Sequence, residues 1–370
     1  MLNHQSPFHQ SPEEIAVAPL DSLIATRQQE VIQLLKQIIE PKLKNDIVSL
    51  GMVRNLRIVD DYAYLRLYIG SHQHHLQAEI QSILSPLSWC KKLYIQLCTI
   101  PNVKTTLAVS SGKGGVGKST TAVNLAVALQ LAGLKVGLLN ADVYGPNIPQ
   151  MLGLGQTDVQ VIDTPNGQRF LPLEASGIKV MSVGLLAERD RPLAWRGPVL
   201  HKILAQFLHQ VEWGELDYLF IDLPPGTGDA QITIVQESPV CGAIVVTTPQ
   251  QIAISDVRRS IHMFRQVGVP VLGIIENMSY LIGSDGETMP IFGSGGGQQL
   301  AAELNTPLLG QIPLNPDVCT GGDTGKPIAT ANPNSPVSQV FLQMAGAIAN
   351  TFQPVTTLQD NHLTKIFKPD

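Results

Sequence analysis

Two kinds of hydrophobic spacing divide the chain. Before about residue 98, Ile24, Val31, Leu35 and Ile38 recur at helical spacing, with Asp21 or Ser22 placed to cap the helix and Pro41 to end it. The runs MVRNLRIV and YAYLRLYI then alternate apolar and polar on either side of Asp60-Asp61, which predicts a β-hairpin. Leu76, Ile80, Ile83 and Leu84 predict a second helix, and KKLYIQL a third strand. The sum is a small α-β-β-α-β unit over residues 21–98, followed by CTIPNVKT as the linker.

From about residue 104 short, almost wholly apolar runs alternate with helical segments. The predicted strands are 107–110, 136–140, 179–183, 218–222, 243–247, 271–275 and 308–312. Strands without polar alternation are covered on both faces, so the fold class expected for residues 99–352 is α/β, a doubly wound, mostly parallel sheet, preceded by the small α+β domain. Residues 1–20 and 353–370 are polar and aperiodic, and read as flexible tails.

Composition narrows the classes. Hydrophobic residues at 44% and charged residues at 15% exclude a disordered bulk. A net charge of −5 supplies no general basic field for nucleic acid or an anionic membrane; Arg258, Arg259 and Arg265 form the densest basic cluster, and it is thin. No apolar run approaches the roughly 18 to 20 residues that span a bilayer. The first twenty residues have neither secretory nor transit character, so the expected location is cytoplasmic, with no membrane partner and nucleic acid disfavoured. The four cysteines, Cys90, Cys98, Cys241 and Cys319, show no C-x-x-C spacing.

Candidate chemistry begins at SSGKGGVGKST, between a predicted strand and a predicted helix. Gly112, Gly117, Lys118 and Ser119 fill the phosphate-loop pattern G-x-x-x-x-G-K-[ST], with Gly114, Gly115 and Val116 inside it and Thr120 beyond. Glycines allow backbone N–H groups to turn inward, and the following helix N-terminus favours an anion. Lys118 is expected to reach the β- and γ-phosphates and the Ser119 hydroxyl to ligate Mg²⁺. Asp222, ending an apolar strand in YLFIDLPPGTGD, is the second Mg²⁺ candidate, and the Gly226 N–H the candidate γ-phosphate sensor, with Asp229 capping the next helix. Asp142, in LLNADVYGPN, is the candidate for orienting an attacking water.

The stretches SSGKGGVGKSTTAVNLAVAL, NADVYGPNIPQMLG, LAWRGPVL, DYLFIDLPPGTGDAQIT, TTPQQIAISDV and IIENMSYL…IFGSGGGQQLA together resemble the Mrp/ApbC iron–sulfur cluster carrier ATPases, members of the class that includes MinD, ParA and the nitrogenase iron protein. The resemblance covers about residues 100–350, and DIVSLGMVRNLRI is similar to the small domain often fused to this ATPase. It implies ATP as the nucleotide, a nucleotide-sandwich homodimer, and client proteins that receive clusters. Lys113 would then reach across the dimer to the partner's phosphates, and Asn277 would read the adenine edge.

The departures bear on the cargo. Carriers of this family present a C-x-x-C pair between the ENMSY and IFG segments, two pairs holding one [4Fe–4S] cluster across the dimer; here those places fall near Gly283 and Gly286, which offer no thiolate. The small domain lacks the family's cysteine turn and has YIGSHQHH instead, where His72, His74 and His75 read either as metal ligands or as a solvated edge. Asn140 stands where many relatives have Asp. Cys241 leads into an apolar strand and is expected in the core, and Cys319 is expected to be exposed. Two readings remain: an ATP-hydrolysing cluster carrier, or an ATP-driven dimeric switch acting on a partner without a cluster.

Overall fold

The computed structural model describes residues 18–352 except 42, 72, 144, 156, 166, 187–196 and 284; the predicted tails and His72 lie outside or mostly outside them. The chain opens with helix α1 (Ala18–Leu35), strands β1 (Val53–Val59) and β2 (Tyr62–Tyr68), helix α2 (His75–Leu84) and strand β3 (Lys92–Cys98). β1 and β2 are antiparallel across the turn at Asp60, whose φ is +52°. β3 is parallel to β2 because α2 returns the chain to the starting end of the sheet. Ile58, Ala63, Leu65 and Leu67 on one face pack with Val31, Leu35, Leu76 and Ile80 from the helices.

The first helix departs from the expected bounds. It already includes Asp21, which is therefore not its cap, and it stops at Leu35, well before Pro41. Its last turn tightens, with the Gln37 and Ile38 amides donating to the Leu34 and Leu35 carbonyls, and Ile39–Glu40 then pairs with Asn45–Asp46. Ile38 stays buried beyond the helix, so helical spacing overran its end.

Among the described residues eight strands form the large sheet: β4 (Val103–Ser111), β5 (Val136–Asn140), β6 (Leu173–Ala175), β7 (Ile178–Ser182), β8 (Leu216–Asp222), β9 (Gly242–Thr247), β10 (Val271–Glu276) and β11 (Leu308–Gln311), in the order β6-β7-β5-β8-β4-β9-β10-β11. Neighbours are parallel except β6, which is antiparallel to β7. β6 and the hairpin of Val161–Thr164 with Gly167–Phe170 escaped the sequence reading because they are short and lie largely in contact with solvent. The linker is also shorter than CTIPNVKT, since β3 runs through Cys98 and β4 starts at Val103.

Helices α3 (Lys118–Leu131), α4 (Gly197–Gln210), α5 (Asp229–Glu237), α6 (Gln251–Gln266), α7 (Gly296–Glu303), α8 (Pro316–Thr324) and α9 (Pro336–Phe352) follow in chain order. α3 and α9 bury one face of the sheet, and α4 to α7 the other, each with its own apolar cluster. Successive strands leave central β4 in opposite directions, which opens a crevice at its carboxyl end.

The small sheet docks beside α5 and the loop between α6 and β10. Gly51 has φ +64°, and a Cβ there would lie 2.0 Å from the Gly268 carbonyl oxygen. The Arg54 guanidinium is buried over the Tyr68 ring, 4.1 Å from its centroid, and donates to the carbonyls of Gly51 and Val240. Tyr68 Oη donates to the Gln236 carbonyl at 2.7 Å. Gly51→Ala is expected to lose about 1–3 kcal/mol by combining a disfavoured φ with a backbone clash; an unchanged urea midpoint would contradict this packing.

Candidate nucleotide site

β4 ends at Ser111 and α3 starts at Lys118, so the glycine-rich loop lies in the crevice at the centre of the sheet. Gly115 and Gly117 both have φ +82°, a conformation that Cβ-bearing residues rarely adopt. Two other constraints are steric. A Cβ on Gly112 would lie 2.3 Å from the Asp256 carbonyl carbon in α6, and one on Gly117 would lie 2.1 Å from Asn277 Nδ2. Val116 is buried and anchors the loop, while nothing lies within 4 Å of the Cβ position on Gly114 or Gly115, leaving that flank open.

Three ionic groups converge beneath the loop. Lys118 Nζ donates to Asp222 Oδ1 at 2.8 Å and stands 3.6 Å from Asp142 Oδ2. Ser119 Oγ donates to Asp222 Oδ2 at 2.7 Å. Asp222 has no exposure to water, and burial raises the pKa of its carboxyl against the opposing pull of Lys118 and the Ser119 hydroxyl. Asp142 is held in turn: its amide donates to Asn140 Oδ1 at 3.0 Å, and its Oδ1 accepts from the Gly145 amide at 3.2 Å. Asn140 itself donates to Ser182 Oγ at 3.1 Å and so acts as a brace between β5 and β7.

A cleft of about 360 Å³ opens over these groups, with Lys113, Gly114, Lys118, Asp142 and Pro225 on its wall. Lys113 is half-exposed at this mouth, and no carboxylate pairs with it among the described residues. A second cleft, about 400 Å³, adjoins at Gly117 and Thr120 and is walled by Asn277, Leu314, Val318 and Cys319. Volumes of this order suit a nucleotide's phosphates and base in neighbouring compartments.

Residues 102–349 match a family described as ParA, NUBPL iron-transfer P-loop NTPase. The chain belongs to that family. Residues 28–89 match a second family, described as iron-sulfur cluster assembly protein. An iron-sulfur cluster carrier protein of Synechocystis is 43% identical over 338 residues, covering 86% of this chain and 96% of that one. The protein of the same name from Escherichia coli K12 is 42% identical over 329 residues, 84% of this chain and 88% of its own. A solved nucleotide-binding protein from Archaeoglobus fulgidus in complex with ADP is 38% identical, with a TM-score of 0.54 over 61% of this chain and 88% of that one. The septum site-determining protein MinD of Pyrococcus horikoshii, complexed with Mg-ADP, shares the fold at 21% identity, with a TM-score of 0.50 over 66% of this chain and 95% of that one.

For this P-loop NTPase the structure brings Lys113, Lys118, Ser119, Thr120, Asp142 and Asp222 around one crevice. Two sequence-predicted partners are engaged otherwise. The Gly226 amide donates to the Ser111 carbonyl at 3.0 Å, tying the turn after β8 to the end of β4. Asn277 Nδ2 donates to the Val116 carbonyl at 2.9 Å, so this amide clamps the loop as well as lining the second cleft. Asp229 is the first residue of α5, and the capping position belongs to Gly228, which has no side chain to cap with.

The other candidates lie apart. Gly283 and Gly286 occupy the turn of a small hairpin, Leu281–Ile282 with Thr288–Met289. Cys90, Cys98 and Cys241 are half-buried, whereas Cys319 is exposed on α8 at the rim of the second cleft. Burial raises the pKa of the Cys241 thiol. His74 precedes α2 and His75 begins it, and no three His, Cys, Asp or Glu side chains are grouped for metal binding among the described residues. Arg258 pairs with Glu303, Arg259 with Asp256, and Arg265 donates to the Leu304 carbonyl.

Sequence reading missed two braces. Glu276, fully buried at the end of β10, accepts from Ser279 Oγ, the Gly297 amide and Gln311 Nε2, fixing the turn that carries Asn277. Gln231 links α5 to the Pro224 carbonyl and to Ser110. The available signal was an acidic residue closing an apolar strand beside the ENMS motif.

Removing the cation should expose how much the site depends on it. Lys118→Ala leaves the buried Asp222 carboxylate with the Ser119 hydroxyl and no positive partner, an expected loss of about 3–5 kcal/mol at neutral pH without nucleotide. The folded state would then bind the Asp222 proton more tightly than the unfolded chain, so the deficit should deepen as pH rises above the usual carboxylate range and shrink as pH falls into it. Denaturant unfolding at several pH values reads this out, and a pH-independent deficit would contradict the pairing.

Proposed function

We propose that this chain is an ATP-hydrolysing iron–sulfur cluster carrier that works as a nucleotide-sandwich homodimer. The observation that carries the reading is the phosphate loop with its second lysine, Lys113, at the mouth of the phosphate cleft, in a chain alignable over 86% of its length with an iron–sulfur cluster carrier. The two profile matches, 28–89 and 102–349, support a division of the chain near residues 99–102.

In this reading the triphosphate lies over the loop amides, and Lys118 leaves Asp222 for the β- and γ-phosphates. Ser119 and Asp222 fit Mg²⁺, since hydroxyl and carboxylate oxygens are its preferred donors and the two are already 2.7 Å apart. When bound, the ion neutralises phosphate charge. Asp142, held by Asn140 and the Gly145 amide, orients the attacking water. Thr120 supports the α-phosphate, and Asn277 presents its free amide oxygen toward the base. The Gly226 amide contacts the γ-phosphate once its bond to Ser111 opens. Lys113 acts on the partner subunit's nucleotide, supplying positive charge only in the closed dimer.

Iron–sulfur cluster is the cargo, and the hairpin at Gly283 and Gly286 supplies no thiolate for it. That one observation favours the second reading, an ATP-driven switch that acts on a partner protein without cluster. Among the described residues no helix is long and apolar enough to cross a membrane.

Anaerobic reconstitution with iron and sulfide analysis, alongside ATP turnover, separates the readings. Cys319 is the exposed thiol among the four, so bound iron and sulfide are expected at low occupancy and lost in Cys319→Ser. Lys113→Ala is expected to bind ATP normally while losing about 10³-fold or more in turnover, together with ATP-dependent dimerisation. A stoichiometric cluster surviving serine at all four cysteines would contradict the thiolate argument. Intact ATP-dependent dimers with no cluster would favour the switch.

A further inference from the structure

The face of the small sheet turned away from α1 and α2 is built unlike the rest of the surface. Strand alternation places Arg57 on β1, Tyr62, Tyr64 and Arg66 on β2, and Lys92 and Tyr94 on β3 along it. Tyr62, Tyr64 and Tyr94 are 37%, 38% and 40% exposed, unusually open for large aromatic side chains. They form one patch: Tyr64 and Tyr94 stack with centroids 4.8 Å apart at 4°, and Tyr62 stands 6.3 Å from Tyr94. None of the outward positions on the three strands is acidic. The chain as a whole carries −5, so this is a local cationic face on an acidic protein. It continues into a cleft of about 800 Å³ whose far wall is Gln236 of α5.

We propose that this face is a docking surface for an acidic polypeptide segment of a partner protein. Ordered tyrosines cost little conformational entropy on binding, and Tyr and Arg are the residues that dominate the energetic centres of protein interfaces. Arg57 has no partner among the described residues, and Arg66, which also interacts with Tyr68, donates from Nε to Gln96 Oε1 at 3.0 Å. Carboxylates therefore meet cations and phenol hydroxyls already in place.

The same geometry disfavours single-stranded nucleic acid as the occupant. Base stacking needs open ring faces, and the Tyr94 ring is already engaged by the stacked Tyr64 and by Lys92 Nζ, 4.8 Å from its centroid. The surface is separate from the nucleotide cleft, so its failure would leave the carrier reading untouched.

Fluorescence anisotropy of the full chain with a labelled oligoglutamate peptide, and separately with an oligothymidylate strand of equal length, tests the proposal. The peptide is expected to bind, to weaken as salt rises, and to lose at least about tenfold in affinity in Arg57→Glu with Lys92→Glu. Tyr64→Ala and the milder pair Arg57→Gln with Lys92→Gln should also weaken it; the charge-removing pair should leave thermal unfolding unchanged because both positions are exposed, whereas Tyr64→Ala also removes the stack on Tyr94 and is read against its own unfolding curve. Lys135→Glu, distant on the large unit, should bind like the wild type. No peptide binding, equal binding by the charge-reversed pair, or tighter oligothymidylate binding abolished by the same substitutions would each overturn it.

Discussion

A carboxylate removed from water needs a positive partner, and Asp222 is fully buried at the carboxyl end of a central strand. Its neighbours in the sheet and the loop above answer that need. Lys118, from the first turn of α3, and the adjacent Ser119 hydroxyl engage one carboxylate oxygen each. The loop can bring them there because its glycines accept positive φ and close backbone approach, and because Asn277 holds the Val116 carbonyl from the far side. Around this pair the site is braced rather than loose: Asn140 and Gly145 fix Asp142, and buried Glu276 fixes the turn carrying Asn277. Lys118 carries the charge that a phosphate would attract, and the Ser119 hydroxyl and the Asp222 carboxylate are oxygen donors of the kind a divalent ion takes, so an incoming anion and cation would compete for this pair.

The same region is tied to the small sheet through α5. Near its start Gln231 reaches the Pro224 carbonyl and Ser110, close to the phosphate loop; near its end Gln236 accepts from Tyr68, and Val240 just beyond accepts from Arg54. One short helix thus contacts both units. Gly51 makes the approach possible at the other side of the joint, where any side chain would strike the Gly268 carbonyl.

Legibility in the sequence followed the strength of the local physical signal. Buried parallel strands announced themselves as apolar runs, and Val136–Asn140 falls where the pattern put it. The phosphate loop was legible because its chemistry demands glycines, lysine and hydroxyl at fixed spacing. Short, half-exposed strands such as Leu173–Ala175 carry no such run, and their existence depends on a neighbour distant in sequence. The end of α1 was misplaced because Ile38 stays buried after the helix has stopped, so periodicity alone continued past it. Within the site, strand-ending Asp222 could be read, but the engagement of Gly226 by Ser111 and the brace at Glu276 arise from tertiary proximity alone.

Asp222 holds Lys118 in the free protein, and in the proposed function it would hold Mg²⁺ once nucleotide is bound. Calorimetric titration of ATP with and without Mg²⁺, on the wild type and on Asp222→Asn, tests it most directly. Mg²⁺ is expected to tighten ATP binding to the wild type, whereas Asp222→Asn is expected to bind metal-free ATP at least as well as the wild type, because Lys118 is released, and to gain nothing from Mg²⁺. An undiminished Mg²⁺ enhancement in Asp222→Asn, or metal-free ATP binding that collapses with it, would mean that Asp222 does not play this double role.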